Sequence, residues 1–405
     1  MQQLKQVSIL FFIAIMMFAA CQTAPTVAPV EQANPYNAFE SEAQALSIGD
    51  GPGSVTVMTR NIYVGADVDV VLSAEKAEDI PILVAQTFQQ LLSTNFPERA
   101  VALVREIAMT QPHLIGLQEV ALIRMQSPGD AIIGGTTPAE DVLLDYLDIM
   151  MQIIEMAGLD YKVVGKIQNA DVELPMIVSL NPLQFNDVRL TDFDVILARG
   201  DVEISDVRSG NFAVNLVIPD YGIEVLRGWV SAEAKVNRKT YRFVNTHLEA
   251  FGSPIRLAQA LELLETLEGE PWPIIMVGDF NSQAPDGITY NAVLDAGYLD
   301  VWTKNRLPGN PDGFTFGHDP DLRNEVANFW ERIDFIFVKN NNPYLPKHVL
   351  DPVLAMVVGD EPEDRTPSGL WPSDHGGVVA RLRIPTSDRL VEQDLEGQPK
   401  PLTRN

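Results

Sequence analysis

Cysteine is almost missing from this chain: Cys21 is the single one among 405 residues. One thiol cannot close an internal disulfide, and thiolate zinc or iron–sulfur sites need several sulfurs. Any bound metal must therefore be held by oxygen and imidazole, the ligands of magnesium, manganese or calcium. Positive charge is scarce as well. Twenty-nine Lys and Arg stand against 55 Asp and Glu, a formal net charge of −26. That balance excludes a broad basic surface for gripping a phosphate backbone, though not a locally positive cleft. Long hydrophobic runs and internal repeats are lacking too. Residues 7–20 (VSILFFIAIMMFAA) are apolar except Ser8, which is too short for a comfortable membrane span.

What is present begins with that same run. It follows Lys5, ends in Ala19-Ala20-Cys21, and has the length of a signal-peptide core. It resembles a bacterial lipoprotein signal, in which the cysteine becomes the lipidated first residue; Phe18 stands where leucine is usual. The resemblance implies a signal peptide over 1–20, lipidation at Cys21, and a protein exported to the bacterial cell envelope and held at a membrane by its N-terminal lipid. Plain secretion is the alternative. Residues 21–50 are rich in Ala, Pro and Gln without apolar period, as in a flexible tether. Residues 386–405 are a polar tail. The stretch 51–385 contains no linker-like segment and is expected to be one domain, working as a monomer.

Within it, short apolar runs alternate with helical patterns. Strands are expected at 55–60, 114–120, 229–236, 241–247, 273–279, 333–338 and 377–383. Several alternate with period two; 273–277 is continuously apolar, as a buried central strand would be. Helices are expected at 98–110, 139–157 and 255–267. Two packed sheets in an α+β domain follow.

Polar residues recur at the strand ends. Asn61 follows VTVMTR, Glu119 closes LIGLQE, and His247 closes YRFVNTH. Asp279 and Asn281 end PIIMVGDFN, Asp334 opens IDFIFV, and Asp374-His375 precedes GGVVARL. Strand ends at one sheet edge are rigid mounts for a site. Asp279 and Asn281, two apart, point to one face in extended geometry. Any one of these residues alone could be a turn cap, a core histidine or a surface carboxylate; the set together points to chemistry.

The segments TRN (59–61), LQEV (117–120), NTHLE (245–249), GDFNS (278–282), RIDFIFV (332–338) and SDHGG (373–377) resemble, in order, the endonuclease/exonuclease/phosphatase (DNase I-like) superfamily. The resemblance implies a four-layer α/β/β/α sandwich and a divalent-metal phosphodiesterase or phosphatase. It casts Glu119 as the principal metal ligand with Asn61 beside it and Asp374 serving the metal directly or through water. Asp279 would orient or deprotonate the attacking water, and Asn281 would hold a phosphate oxygen. His375, backed by Asp334, and His247 would stabilise the phosphate or protonate the leaving oxygen. Mg2+ or Mn2+ is the implied cofactor, since magnesium accepts few protein carboxylates. The substrate could be a phospholipid, a small phosphoester or, in an extracellular nuclease, DNA or RNA. The different-class alternative is a catalytically inactive surface-binding lipoprotein.

Two segments, 62–96 and 126–141, exceed what compact members of the superfamily carry and are expected to shape substrate access. The second half of the first looks helical. Asp194 and Arg199 are assigned to packing, His113, His318 and His348 to structure or surface, and 132–137 (IIGGTT) to a loop without phosphate-loop context.

Overall fold

The structure, a computed structural model, describes residues 53–72, 74–219, 223–307, 312–341 and 353–385. The expectations for the signal peptide, Cys21, the tether, the 386–405 tail and His348 lie outside the described residues.

Strands β1 (Val55–Asn61), β2 (Leu114–Gln118), β3 (Leu122–Gln126), β4 (Asp141–Asp145), β5 (Tyr161–Leu180) and β6 (Leu183–Arg199) belong to the first sheet, with β15 (Leu354–Val358) and β16 (Gly377–Leu382). Its order is β15-β16-β1-β2-β6-β3-β4, with β5 pairing β6. The second sheet contains β7 (Glu203–Asn211), β10 (Gly228–Val236), β11 (Lys239–His247), β12 (Ile274–Asp279), β13 (Leu299–Asp300) and β14 (Asp334–Lys339), in the order β13-β14-β12-β11-β10-β7. Strands β8 (Leu216–Ile218) and β9 (Ile223–Val225) form a separate ribbon.

Alternation along the strands builds the layers. Phe243, Ile275, Val277, Ile336 and Val338 of the second sheet share one core with Val55, Val57, Leu114 and Ile196 of the first. Their neighbours Val244, Ile274, Met276, Phe335 and Phe337 point the other way, onto α5 (Ser253–Thr266) and α6 (Ile288–Asp295) through Leu263 and Val293. The continuously apolar IIMV of β12 is thus a strand buried on both faces. Across the first sheet lie α3 (Phe96–Thr110) and α4 (Tyr146–Met156), with the Phe96 and Tyr146 rings stacked at 3.4 Å. Glu106 of α3 is joined to Arg60 of β1 at 2.8 Å. The result is the expected α/β/β/α sandwich.

Gly116 marks how closely the sheets approach: a Cβ there would lie 2.6 Å from both Asn245 Oδ1 and Val277 Cγ2. Asn245 fills that space and donates to the carbonyls of Leu117 and Val195 at 2.9 and 3.0 Å, tying the sheets together beneath the strand ends.

The segment 62–96 contains α1 (Asp69–Leu72) and α2 (Ile80–Ser93), so its second half is helical. The expectation for 139–157 needs correction, since residues 141–145 are the edge strand β4, paired with β3. Val142 and Leu143 are exposed there, and the helix starts only after Asp145, whose side chain caps Asp148 N at 3.0 Å. The long β5–β6 hairpin was not among the expected strands.

Candidate active site

Register brings the polar strand ends to one edge. Strands β1 and β2 run parallel with Asn61 opposite Gln118, and β11 and β12 run parallel with His247 opposite Asp279. Antiparallel β14 sets Asp334 opposite Asp279. The glycine of GDFN is required by its backbone: Gly278 has φ +151, and a Cβ would sit 1.9 Å from Thr246 O. Glu119 and Asn281 take left-handed φ values of 58 and 48, the kind of strain that rigid surroundings hold at functional sites.

Asp279 is the hub. Its Oδ1 accepts Asn281 N at 2.9 Å, and its Oδ2 accepts Asn61 Nδ2 at 3.1 Å. The same Oδ2 lies 3.5 Å from His247 Nε2 and 3.7 Å from His375 Nε2. Burial, then the neighbouring Asp334, raises its carboxyl to about 7, while His375 pulls the other way. Such a carboxyl is poised to accept a proton near neutrality.

His375 is held from both sides. Asp334 Oδ2 lies 2.9 Å from its Nδ1 and also accepts the Thr315 hydroxyl at 2.7 Å. Burial alone would lower this imidazole, but Asp334, Asp374 and Asp279 outweigh it and lift it to about 10. It is therefore an imidazolium at neutral pH. His247 is the opposite case. Its Nδ1 is 2.9 Å from Arg227 Nη1, and a guanidinium only donates. Nδ1 must then be the acceptor, which leaves the proton of the neutral ring on Nε2, 3.2 Å from Asn281 Nδ2 and 3.5 Å from Asp279 Oδ2. Burial first, then Arg227 and His375, keeps it well below the usual histidine range. Two histidines on one carboxylate thus carry different charge.

Two sets of groups could hold a cation. Asp279, Asp334 and His375 each offer a ligand atom within 4.8 Å of the others, though a cation there would have to displace the His375 proton. The second set is Glu119, Asn61 and Asp374. Asp374 is raised to about 6 by burial, with the Glu119 charge adding to the rise and His375 opposing it. A divalent cation relieves that kind of carboxylate repulsion, so the donor chemistry fits. In this arrangement Asn61 Oδ1 accepts Tyr63 N at 3.0 Å and its Nδ2 faces Glu119 Oε1 at 3.0 Å. Ser373 Oγ donates to Asn61 O at 2.8 Å, and Asn281 Nδ2 donates to Leu248 O at 2.9 Å. All eight residues expected at the site are brought together.

Other residues were not foreseen. Arg227 lies 3.7 Å from Asp192 and 4.0 Å from Glu249, and burial of Asp192 raises that carboxyl to about 7 despite the arginine. Phe316 rests on the His375 ring at 4.8 Å. The signal that could have found Arg227 is its place just before a strand whose partner ends in NTH. Asp194 is buried with both carboxylate oxygens unpartnered. Arg199 binds Asp201 and Gln111 O, and His113 Nδ1 accepts Thr56 N at 3.0 Å. His318 is buried between Phe329 and Trp371.

Six of the eight site residues, all but Asn61 and Asp334, line a cleft of about 430 Å³ together with Arg227, Asp192 and Phe316. The insertion 62–96 borders it, from Tyr63 to Leu91. The second insertion does not: 126–141 supplies none of its lining and docks on the β5–β6 hairpin, with Gly129 N donating to Phe185 O at 2.9 Å.

Solved structures with a similar course include a Bacteroides thetaiotaomicron endonuclease/exonuclease/phosphatase family protein (17% identity, 82% of this chain and 98% of that chain, TM-score 0.49). Another is the mannosyl-6-phosphatase of the same species (19%, 81% and 99%, 0.47), and a third is truncated Caenorhabditis elegans TDP2 (18%, 81% and 97%, 0.42). No protein of curated function matches the sequence. Residues 88–375 match the Endonuclease/Exonuclease/phosphatase family. That span is well over half of the chain and carries every residue of the cluster except Asn61, so the chain belongs to the endonuclease/exonuclease/phosphatase family of phosphoester hydrolases.

Proposed function

We propose that this protein is a divalent-metal-dependent hydrolase of phosphoester bonds, exported and held at the cell envelope by a lipid on Cys21. The observation that carries the chemistry is Asp279, a carboxyl raised to about 7 between a neutral His247 and an imidazolium His375. Asp279 takes the proton of the attacking water and Asn281 orients a phosphate oxygen. The His375 imidazolium, fixed by Asp334, sits against the charge that grows on the phosphoryl oxygens. His247 stays neutral beside Asp279, with its Nδ1 accepting from Arg227. Glu119, Asn61 and Asp374 would hold magnesium or manganese. Such an ion supplies positive charge against the transferring phosphoryl group.

The test is hydrolysis of bis(p-nitrophenyl) phosphate and p-nitrophenyl phosphate with magnesium or manganese and with excess EDTA. Turnover of either ester that chelation removes supports the reading and separates diester from monoester preference. Turnover of neither, in folded protein with metal, favours the inactive-lipoprotein alternative. The envelope assignment rests on the apolar run ending at the chain's single cysteine.

A further inference from the structure

The cleft is larger than the catalytic cluster, and the excess has a chemistry of its own. Away from the strand-end polar groups much of its lining is apolar. Val84 and Phe88 of α2 pack with Leu174 and Val188 of the β5–β6 hairpin in one apolar cluster. Val68 and Leu190 continue the lining. Phe88, Leu174, Val188 and Leu190 are only half-buried, so they present apolar surface to the cleft instead of sealing a core. Such a surface continuous with polar catalytic groups is how ligand sites read an amphiphile.

The wall is anchored. Thr94 Oγ1 donates to Gly65 O at 2.8 Å, and Gln90 Nε2 and Tyr63 Oη both donate to Pro320 O, at 2.8 and 3.0 Å. The insertion is thereby tied at both ends, on the catalytic side and on α2. A preformed apolar wall costs little ordering when a chain lies on it.

Charge narrows the occupant. Arg227 is the only lysine or arginine among the described residues that line the cleft, while the acidic side chains Asp67, Asp69, Asp192 and Glu249 also line it. A polyanion running along that wall would be repelled. An alkyl chain needs no cations.

We propose that the substrate is a phosphoester whose alcohol carries an aliphatic chain, with the phosphate at Asp279 and His375 and the chain against the wall built by residues 62–96 and the β5–β6 hairpin. The assignment rests on the phosphoester-hydrolase reading and adds the substrate class to it. The acidic groups at the polar end suit a single phosphate charge, while the insertion supplies Val68, Val84 and Phe88 to the apolar surface.

The experiment is a chain-length series of p-nitrophenyl alkyl phosphodiesters, methyl to octyl, each below its micelle concentration, with the magnesium-loaded enzyme. Burial of each methylene should raise kcat/KM by about two- to fourfold until the wall is covered. Leu174→Asn and Val188→Asn, each checked by melting curve, should flatten the series; the wild-type slope decides the question if either variant fails to fold. A flat wild-type series with an active methyl ester overturns this proposal and leaves the hydrolase reading intact. Hydrolysis of no member, methyl included, overturns both. The p-nitrophenyl ester of thymidine 5′-phosphate is the nucleic-acid arm, and cleavage of it faster than of the octyl ester also overturns the proposal.

Discussion

Asp334 Oδ2 lies 2.9 Å from His375 Nδ1, and the other carboxylate oxygen of Asp334 is buried without a partner. The pair joins β14 of one sheet to the loop entering β16 of the other, so it spans the sandwich at the site. With the carboxylate as acceptor, the imidazole keeps its Nδ1 proton and turns Nε2 toward Asp279.

From that geometry, His375→Ala should lower kcat on the order of 10²–10⁴ with little change in KM, because the lost charge matters chiefly in the transition state. Asp334→Asn should also be damaging, since an amide neither stabilises the imidazolium nor fixes its tautomer. The two act as one unit, so the double variant should be little worse than His375→Ala alone. Steady-state kinetics with parallel melting curves check this; fully additive losses would assign the two residues independent roles.

The parts of this arrangement legible in the sequence were those with a strong period or a strained mount. IIMV is apolar throughout because β12 is buried on both faces, and GDFN keeps its glycine because nothing larger fits against Thr246 O. The β5–β6 hairpin left no such trace. Its outer half is half-exposed on both faces, so its residues follow neither the period of a helix nor that of a one-sided sheet. Residues 141–145 misled for a related reason: VLL merges with the apolar face of the following helix, and only the Asp145 cap separates them. Arg227 was passed over because its meaning lies in a contact with His247, 20 residues away and across a strand pair, which only its place before that strand hints at.

Metal dependence should show in folding as well as turnover. Magnesium binding to the native state alone raises stability by about 2.7 kcal/mol at a hundredfold excess over Kd. The melting temperature should therefore rise with magnesium in wild type and in His375→Ala, and not in Glu119→Ala. EDTA should abolish turnover and magnesium or manganese should restore it. Full activity in excess chelator would remove Glu119 from the role given to it here.

His247 should be a neutral imidazole protonated at Nε2 throughout pH 6–8, because Arg227 occupies Nδ1 and burial opposes its charge. Nitrogen-15 correlation spectra of the ring report the tautomer directly. In Arg227→Gln its pKa should move upward, as the nearby cation is gone. An imidazolium in wild type at pH 7 would instead restore His247 as the acid that protonates the leaving oxygen.

The anchor has its own test. Cys21→Ser should move the protein from washed membranes into a soluble fraction while leaving its melting temperature and turnover unchanged. Persistence on membranes after washing would place the anchor elsewhere, and release of the wild type would make it a plain secreted protein.

The last expectation concerns stability in acid, through a histidine outside the catalytic cluster. His318 is stacked on Trp371 at 4.2 Å between ring centroids and packed on Phe329 at 4.4 Å. Its Nδ1 is 2.8 Å from Asn324 Nδ2, a donor, so the ring is neutral and its remaining proton faces Gly359 O. Burial first, with Arg60, His375 and Arg365 adding to it against the Gly359 carbonyl, lowers this group to about 3. A histidine depressed in the fold binds its proton more readily when unfolded. Its contribution to stability is therefore complete above pH 6.5 and is lost as the pH falls from there toward 3, with a slope of up to about 1.4 kcal/mol per pH unit. Carboxylates titrate across the same range, so the measurement is a difference. Urea midpoints of wild type and His318→Gln between pH 7 and 4 should diverge, with the variant, whose amide can still donate toward Gly359, losing less stability as acid is added. Parallel curves would mean that His318 accepts its proton without leaving the stack, and that the Trp371 face tolerates the charge.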